Sequence, residues 1–311
     1  MEFNKKRMSE NQSITPLVSI CVQTYQHAPF IRRCLDGILM QKTNFSIEII
    51  LGEDHSKDGT REICIEYAEA HPQTINLFLR RREDVIKING RPTGRFNLMS
   101  NLDACRGKYI AMCEGDDYWL DENKLQKQVD FMEANPDYAI CFHNAKLVDE
   151  DDSPTKIEDY GDPNQYKDTY NLEDLLSYGE SIIPTASLLF RRQPDFEYPH
   201  WFTEVFAADM ALMFLIARNG KIKYLNEFMS AYRITGGGAS SKHALFHKVV
   251  SRIFLYTSMR NTLDDAKYNP IIDKVLQEFM VYGWAYTLKN HPRHVANTVG
   301  KRLRKKNYQI T

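Results

Sequence analysis

Apolar residues in the first half of the chain form two alternating patterns, short continuous runs and runs with helical spacing. The continuous runs favour strands, and four are predicted, at Leu17–Val22, Ile47–Leu51, Ile75–Leu79 and Tyr109–Cys113. The helical spacing predicts helices from Pro29 to Leu39, from Asp58 to about Ala70, from Phe96 to Cys105 and around Leu125, Val129 and Met132. This repeated order predicts an α/β fold with a mixed, mainly parallel sheet flanked by helices.

The second half of the chain has a less regular pattern. Its acidic, turn-rich stretch Asp149–Asp168 predicts a surface loop. Strands are predicted at Thr185–Phe190 and Lys221–Leu225, a helix at Ala207–Ala217, and helical structure from about Lys242. We therefore expect a flexible tail over residues 1–15, a main domain over 16–241 and a helical extension with a basic tail over 242–311.

The charge balance narrows the range of partners. The chain has 311 residues with 40 basic and 41 acidic side chains, a formal net charge of −1. A nucleic-acid-binding protein usually carries a basic excess, so we expect no nucleic acid partner. Basic residues accumulate after Glu278, beyond which the sequence has no acidic residue. This basic C-terminus is a candidate for peripheral contact with anionic lipid headgroups, with a solvated tail as the alternative.

Hydropathy and cysteine content bear on location. No apolar run approaches the roughly 18 residues of a membrane-spanning helix, and the polar start shows no secretory signal. The six cysteines form no C-x-x-C pair and mostly lie within apolar patterns, so zinc sites and disulfides are not expected. The expected location is the cytoplasm. Peripheral attachment at the inner face of the membrane is compatible with this location.

The strongest chemical feature is Glu114-Gly115-Asp116-Asp117, directly after the fourth predicted strand. If this segment is extended, Glu114 and Asp116 point to the same side and Asp117 to the other. Carboxylates at a strand end suit a hard divalent cation such as Mg²⁺ or Mn²⁺. Ligands bind at the carboxyl ends of parallel strands, so this position favours a site over the alternative, a solvated acidic turn.

Polar residues also follow the first two predicted strands. Asp54 lies at the exit of the second, where a carboxylate can accept hydrogen bonds from a base or ribose. Asp58 precedes a helix and is expected to cap it. Thr24 and Tyr25 follow the first strand, where the tyrosine ring could cover a base or serve only as packing. The sequence has neither G-x-G-x-x-G after this strand nor a G-K-[ST] loop, which removes the main support for NAD-type and P-loop sites.

Asp209 opens the apolar helix predicted at Ala207–Ala217. An acid in the first helical turn is stabilised by the helix dipole, which is sufficient reason for its presence. The functional alternative is a general base. The helix alone favours the first of these interpretations.

Five segments, in this order and spacing, resemble glycosyltransferase family 2. They are V-S-I-C-V-Q-T-Y-Q at 18–26, E-I-I-L-G-E-D-H-S-K-D-G-T at 48–60, G-K-Y-I-A-M-C-E-G-D-D-Y-W at 107–119, A-D-M-A-L at 208–212 and Y-R-I-T-G-G-G-A-S-S at 232–241. No single segment is decisive, but the ordered set is highly specific and covers roughly residues 16–241. The resemblance implies a GT-A fold and transfer of a sugar from a nucleotide-diphosphate donor, with inversion at the anomeric carbon.

The resemblance also assigns donor-binding residues. Thr24 and Tyr25 would line the nucleoside pocket. Asp54 would contact the base, with Glu53 nearby where the family usually has Asp. Arg95 could contact the diphosphate, and Arg233 is a second candidate for that contact.

The same resemblance assigns the metal site and the base. Asp116 would be the principal ligand of Mn²⁺ or Mg²⁺ in a D-x-D-like motif. Glu114 stands where the family more usually has Asp, and Asp117 would be a supporting carboxylate. Asp209 matches the acceptor-side base of the family, and this match reverses the interpretation of that residue towards catalysis.

The function expected from the resemblance is a metal-dependent inverting glycosyltransferase of the hexosyl or N-acetylhexosaminyl type. Its donor would be a nucleotide-diphosphate sugar, with a UDP-sugar favoured. Its acceptor would be a hydroxyl of a glycan or of a lipid-linked acceptor in surface polysaccharide synthesis. A non-catalytic nucleotide-sugar or glycan-binding protein is the alternative, and a sugar-phosphate nucleotidyltransferase is a third candidate without its usual glycine-rich signature.

Overall fold

The computed structural model describes residues 15–88, 90–179, 181–236 and 245–290, with the backbone alone for 245–247 and 284–290. The chain divides into two compact units. The first comprises residues 1–204 and 208–235, and the second comprises 205–207 and 236–311. The expected flexible tail falls almost entirely outside the described residues, as does the basic tail after residue 290, and the expected boundaries at 15 and 241 stay predictions.

The first unit alternates strands and helices. Its strands are β1 (Val18–Thr24), β2 (Ile47–Glu53), β3 (Ile75–Leu79), β4 (Lys87–Ile88), β5 (Arg91–Pro92), β6 (Tyr109–Glu114), β7 (Tyr118–Trp119), β8 (Tyr138–Val148), β9 (Pro154–Asp159), β10 (Thr169–Tyr170), β11 (Leu189–Arg191) and β12 (Lys221–Arg233). Its helices are α1 (Ile31–Leu39), α2 (Thr60–Ala70), α3 (Arg95–Ala104), α4 (Lys124–Ala134), α5 (Leu172–Tyr178) and α6 (Ala208–Ala217). Short 3₁₀ turns lie at Arg82–Asp84, Thr185–Ser187 and His200–Thr203.

Within the described residues, ten of these strands form one sheet with the order β10-β12-β8-β11-β6-β1-β2-β3, to which β7 and β9 add at β12 and β8. Strands β6, β1, β2 and β3 are parallel. Strand β11 runs antiparallel between β6 and β8, and β8 is parallel to β12. The predicted mixed, mainly parallel sheet flanked by helices is confirmed.

The parallel half of the sheet sets the position of the candidate residues. Helix α1 buries Ile31, Cys34, Leu35 and Ile38 at helical spacing in the core that covers β1 and its neighbours. In the registers of the parallel pairs, Thr24 lies beside Glu53 and Gln23 lies beside Glu114. The carboxyl ends of β1, β2 and β6 are therefore side by side at one edge, as expected for an α/β sheet.

Two predictions for the second half were wrong. The stretch Asp149–Asp168 is not loop throughout, because it contains the edge strand β9, in which Asp159 pairs with Lys146 of β8. The predicted strand Thr185–Phe190 is a 3₁₀ turn at Thr185–Ser187 followed by β11. The Ser187 hydroxyl donates to the carbonyl oxygen of Pro184 at 2.7 Å, a local bond that favours the turn over an extended strand.

The second unit is helical in its described part. It contains α7 (Leu245–Thr262), a 3₁₀ turn at Ala266–Tyr268 and α8 (Asn269–Asn290). Its two helices bury apolar side chains, among them Leu255, Tyr256, Met259, Ile272 and Val275. The predicted helical structure after about Lys242 is confirmed for these residues. None of the described helices is long and apolar enough to cross a membrane.

Candidate active site

Glu114–Asp117, here called the acidic turn, departs from the extended geometry predicted for it. Glu114 is the last residue of β6, and the Asp117 N–H donates to the Glu114 carbonyl oxygen at 2.9 Å. The prediction that Glu114 and Asp116 alternate with Asp117 across a strand was therefore wrong. The chain reverses at Gly115, whose N–H donates to the Gln23 carbonyl oxygen of β1 at 2.9 Å.

The acidic turn brings three carboxyl groups close together. Burial, together with the charges of Asp116 and Asp209, raises the pKa of Glu114 to about 8. Burial and the charges of Asp116 and Glu114 also raise the pKa of Asp117 well above its ordinary value. Each of these carboxyl groups opposes the ionisation of its neighbours, so a bound cation would relieve the repulsion.

The two aspartates of the turn face different partners. The Oδ1 atom of Asp117 accepts the backbone N–H of Arg233 at 2.8 Å, whereas its buried Oδ2 has no hydrogen-bond partner among the described residues. The Oδ2 atom of Asp116 lies 3.7 Å from Nε2 of His27. Sequence reasoning did not select His27, although it stands in the Q-T-Y-Q-H-A-P segment that follows β1.

Asp54 directly follows β2 and is 4% exposed. Burial raises its pKa to about 6, opposed by the positive charge of Arg82. Its Oδ2 lies 3.7 Å from Nη1 of Arg82, and its buried Oδ1 has no hydrogen-bond partner among the described residues. A buried carboxylate oxygen without a partner is costly, and a ligand N–H would satisfy it.

Arg82 also lies beside the ring of Tyr25, the residue that follows β1. The Tyr25 ring is 41% exposed, and the Arg82 guanidinium lies 4.8 Å from its centroid. The hydroxyl of Thr24, the last residue of β1, is buried without a partner among the described residues. Sequence reasoning missed Arg82, because a surface arginine after β3 has no local signal that links it to Tyr25.

Glu53 lies at the same edge but is engaged within the protein. It is fully buried, and its carboxylate accepts the Ser56 N–H and forms an ion pair with Arg61. These contacts close the loop after β2. Direct contact between Glu53 and a donor stays a prediction.

The loops after β1 and β2 are joined by hydrogen bonds. The backbone N–H groups of Gln26 and His27 each donate at 2.9 Å, to the hydroxyls of Ser56 and Thr60 respectively. Asp58 accepts from the Thr60 N–H at 3.1 Å, but the N-cap residue of α2 is Gly59, which offers no capping side chain, so the predicted capping role of Asp58 was wrong. Its second oxygen accepts from the Ala28 N–H at 3.0 Å. These hydrogen bonds therefore hold the loops after β1 and β2 together in the absence of a ligand.

Asp209 and Arg95 are the remaining candidate site residues, and both interact electrostatically with charged groups of the site. Asp209 is half-buried in the first turn of α6, and its charge raises the pKa of Glu114. Arg95 begins α3, is 3% exposed, and lies with its guanidinium 4.9 Å from the centroid of Phe202. Burial lowers the pKa of Arg95 to about 10, against the opposing charge of Asp209. Asp209 is thus electrostatically coupled both to Glu114 of the acidic turn and to the buried guanidinium of Arg95.

The chemistry of the acidic turn fits a hard cation. Its donors are carboxylate oxygens, including the buried Oδ2 of Asp117, for which the described residues offer no hydrogen-bond partner. Among the residues that the structure describes, no three His, Cys, Asp or Glu side chains form a complete metal-binding group. Mg²⁺ is commonly held by one or two carboxylates together with substrate phosphates, so a site that a bound diphosphate would complete needs no such group.

Comparison with known proteins identifies the family. A family model described as glycosyl transferase family 2 matches residues 19–198, which is more than half of the chain. The chain belongs to glycosyltransferase family 2, and the resemblance found in its sequence motifs is confirmed.

Two curated relatives illustrate the range of similarity. An uncharacterized protein of Mycobacterium tuberculosis is 34% identical over 217 residues, which are 70% of this chain and 58% of that protein. The chain therefore spans little more than half the length of this relative. TuaG of Bacillus subtilis, a glycosyltransferase named for teichuronic acid biosynthesis, is 24% identical over 229 residues, 73% of this chain and 82% of TuaG.

Solved structures share the fold. Residues 1–349 of Staphylococcus aureus TarS in complex with UDP-GlcNAc match with a TM-score of 0.60 and 16% identity, over 88% of this chain and 74% of that one. The mannosyltransferase PcManGT of Pyrobaculum calidifontis, in complex with GDP-Man and Mn²⁺, matches with a TM-score of 0.54 and 17% identity, over 97% of this chain and 86% of that one. These likenesses show the GT-A fold.

Proposed function

We propose that the chain is a metal-dependent inverting glycosyltransferase that uses a nucleotide-diphosphate sugar. The observation that carries the proposal is the coupling of Asp209 to the acidic turn at the carboxyl edge of the sheet. A buried oxygen of Asp54, which has no hydrogen-bond partner in the described part of the chain, lies at the exit of β2 along the same edge. A base-binding group, a cation site and a candidate general base are the three parts that such a transfer requires.

The donor nucleoside is proposed to bind at Asp54, Thr24 and Tyr25. The unpartnered Asp54 oxygen would accept an N–H of the base, which suits uracil and makes a UDP-sugar the favoured donor. The exposed Tyr25 ring would cover the base. Arg95 is proposed to act on the diphosphate through its charge, since its side chain is buried beside the carboxylate cluster.

The diphosphate is proposed to bind at the acidic turn, with Asp116 as the principal ligand of Mn²⁺ or Mg²⁺ and Glu114 and Asp117 in support. When bound, the cation supplies positive charge that stabilises the leaving nucleoside diphosphate. Burial and the mutual repulsion of the carboxylates, which together raise the pKa of Glu114, support this assignment.

Asp209 is proposed to remove the proton from an acceptor hydroxyl. The acceptor oxygen then forms a bond to the anomeric carbon while the bond from that carbon to the phosphate oxygen breaks. The electron pair of the broken bond leaves with the nucleoside diphosphate. Attack from the opposite face inverts the anomeric configuration, and the step needs one base, unlike the pair of carboxyl groups of a glycosidase.

The names of the relatives support the substrate class. TuaG is named for teichuronic acid biosynthesis, and the two solved structures contain UDP-GlcNAc and GDP-Man. The proposed reaction is therefore hexosyl or N-acetylhexosaminyl transfer to a hydroxyl of a glycan or lipid-linked acceptor in surface polysaccharide synthesis. We propose that this reaction takes place in the cytoplasm and that the basic C-terminus of the chain contacts an anionic membrane face.

The proposal is tested by incubating the full chain and Mn²⁺ with UDP-Glc, UDP-GlcNAc or GDP-Man. Release of nucleoside diphosphate is measured with and without a panel of glycan and lipid-linked acceptors. We expect one donor to release its nucleoside diphosphate, an acceptor to stimulate this release, and NMR to show a product of inverted anomeric configuration. A folded chain that binds a donor but releases no nucleoside diphosphate, under any of these conditions, would instead support a non-catalytic binding protein.

A further inference from the structure

Arg233 is the last residue of β12 and lies beside the acidic turn with 4% of its surface exposed. Its backbone N–H donates to Oδ1 of Asp117 at 2.8 Å, and its side-chain Nε donates to the carbonyl oxygen of Asp116 at 2.9 Å. One residue therefore holds both the main chain at Asp116 and the side chain of Asp117.

The rest of the guanidinium is bound to the loop that follows β8. Its Nη1 donates to the carbonyl oxygens of Asp149 at 2.6 Å and Glu150 at 3.3 Å, and its Nη2 pairs with the Asp152 carboxylate. Asp152 also forms an ion pair with Arg33 of α1. The acidic turn, this loop and α1 are thus joined through Arg233 and Asp152.

Two aromatic rings enclose the same guanidinium. Its central carbon lies 4.5 Å from the ring centroid of Phe30 and 5.5 Å from that of Tyr118. Because its donors are directed at protein oxygens and its side chain is buried, Arg233 is not arranged to bind a diphosphate directly. The contact that the family resemblance suggested for Arg233 is replaced by contacts within the protein.

We propose that Arg233 is a positioning residue for the cation site, an inference that rests on the proposed function. By fixing the Asp116 carbonyl and one Asp117 oxygen, it orients the turn so that the Asp116 carboxylate and the free Asp117 oxygen face a cation and the donor diphosphate. Groups that orient metal ligands commonly change metal affinity or activity by about 10–100-fold when they are removed.

Lysine cannot replace this residue. The planar guanidinium reaches the Asp116 carbonyl, the Asp149 carbonyl and the Asp152 carboxylate at the same time. A lysine ammonium is a single point of charge and cannot span these three acceptors. The variant Arg233→Lys therefore keeps the charge and the backbone N–H and removes only the bridging geometry.

The test compares Arg233→Lys with Arg191→Lys by isothermal titration calorimetry. Arg191 likewise bridges protein oxygens, donating at 3.0 Å to the Tyr109 hydroxyl and at 3.0 Å to the Met132 carbonyl, but it lies at the opposite end of β6. Mn²⁺ is titrated into each protein saturated with UDP, GDP or dTDP, and each nucleotide is titrated separately in EDTA. Thermal unfolding reports whether each variant folds.

The expected result is a loss of about 10–100-fold in Mn²⁺ affinity for Arg233→Lys, with nucleotide binding in EDTA unchanged within about twofold. Arg191→Lys should lower the melting temperature without changing either affinity. Unchanged Mn²⁺ affinity in folded Arg233→Lys, or equal losses in both variants, would overturn the positioning role while leaving the proposed function intact. A wild-type chain that binds no nucleotide and no Mn²⁺ would overturn the proposed function itself, and the positioning role with it.

A second variant covers the case in which Arg233→Lys does not fold. Asp152→Asn keeps the shape of the acceptor and removes only its charge, so Arg233 retains its hydrogen bonds to Asp116 and Asp149. The positioning role predicts a loss of Mn²⁺ affinity that is smaller than the roughly 10–100-fold loss expected for Arg233→Lys. An unchanged Mn²⁺ affinity in this variant would contradict the role.

Discussion

Gly115 lies so close to Thr24 that a Cβ atom on the glycine would stand 2.5 Å from the Thr24 hydroxyl oxygen and 2.7 Å from its Cβ. It would also stand 2.9 Å from Nδ1 of His27. No real Cβ atom tolerates such distances, so the acidic turn has its observed position only because residue 115 has no side chain. The proposed nucleoside side and the proposed cation side of the site meet at this contact.

Gly115→Ala should therefore displace the acidic turn from β1. We expect Mn²⁺-dependent nucleotide affinity to fall at least about tenfold and the protein to lose about 1–3 kcal/mol of unfolding free energy, as overpacked sites do. Gly94→Ala is the matched control, because a Cβ at Gly94 meets no atom within 4 Å. Calorimetric titration and thermal unfolding of both variants measure the effect, and equal behaviour of the two would refute the close-contact explanation.

Asp209→Asn should remove most of the transfer while sparing donor binding. Loss of a general base typically costs about 10²–10⁴-fold in rate, and the carboxamide keeps the size of the side chain. Donor affinity should stay within about threefold. The control is Asp137→Asn, since Asp137 is paired with Lys221 at the amino ends of their strands. Parallel losses of donor affinity and rate in Asp209→Asn would argue for a binding role instead of a catalytic one.

Asp54→Asn should weaken nucleotide binding and stabilise the protein at neutral pH. Burial raises the pKa of Asp54 from 3.8 to about 6, so the folded state holds this proton more tightly than the unfolded state. The contribution of protonated Asp54 to the free energy of unfolding is therefore fully present below about pH 4. It is lost as the pH rises through about 6. At pH 7.5 the variant should be more stable by about 2–3 kcal/mol, from roughly 1.4 kcal/mol per pKa unit.

The stability difference between wild type and Asp54→Asn should shrink as the pH falls from 6 to 4, which thermal unfolding across this range measures. Nucleotide affinity of the wild type should fall over the same range, because a protonated carboxyl is a weaker acceptor than a carboxylate. A stability difference that does not vary with pH would show that Asp54 is not the group whose protonation changes.

The parallel half of the fold could be predicted from the sequence because its strands are continuous apolar runs. The bounds predicted for β3, Ile75–Leu79, agree with the structure. Strand β8 was missed because polar His143 and Asn144 interrupt its apolar pattern, although both are fully buried. Asn144 is satisfied by donating to the Gly161 carbonyl oxygen at 2.7 Å, a contact 17 residues away that periodicity does not reveal.

The site could be predicted in part. Strand ends and family motifs identified Asp54, Asp116 and Asp209, which the structure places at the carboxyl edge of the sheet or couples electrostatically to it. The buried positioning contacts of Arg233 could not be foreseen, because they join segments separated by more than 80 residues. The reversal at Gly115 was also missed, since alternation along a strand assumes that the strand continues.

The proposed function requires that a nucleoside diphosphate binds together with a cation held by Asp116. The most direct test is calorimetric titration of UDP, GDP and dTDP into wild type and Asp116→Ala, with Mn²⁺ or with EDTA, and with Asp130→Ala as the control from the exposed side of α4. We expect Mn²⁺ to strengthen binding of one nucleotide at least about tenfold in wild type and Asp130→Ala, and we expect Asp116→Ala to lose this gain. No binding of any nucleotide to the folded wild type, or an undiminished Mn²⁺ effect in Asp116→Ala, would contradict it.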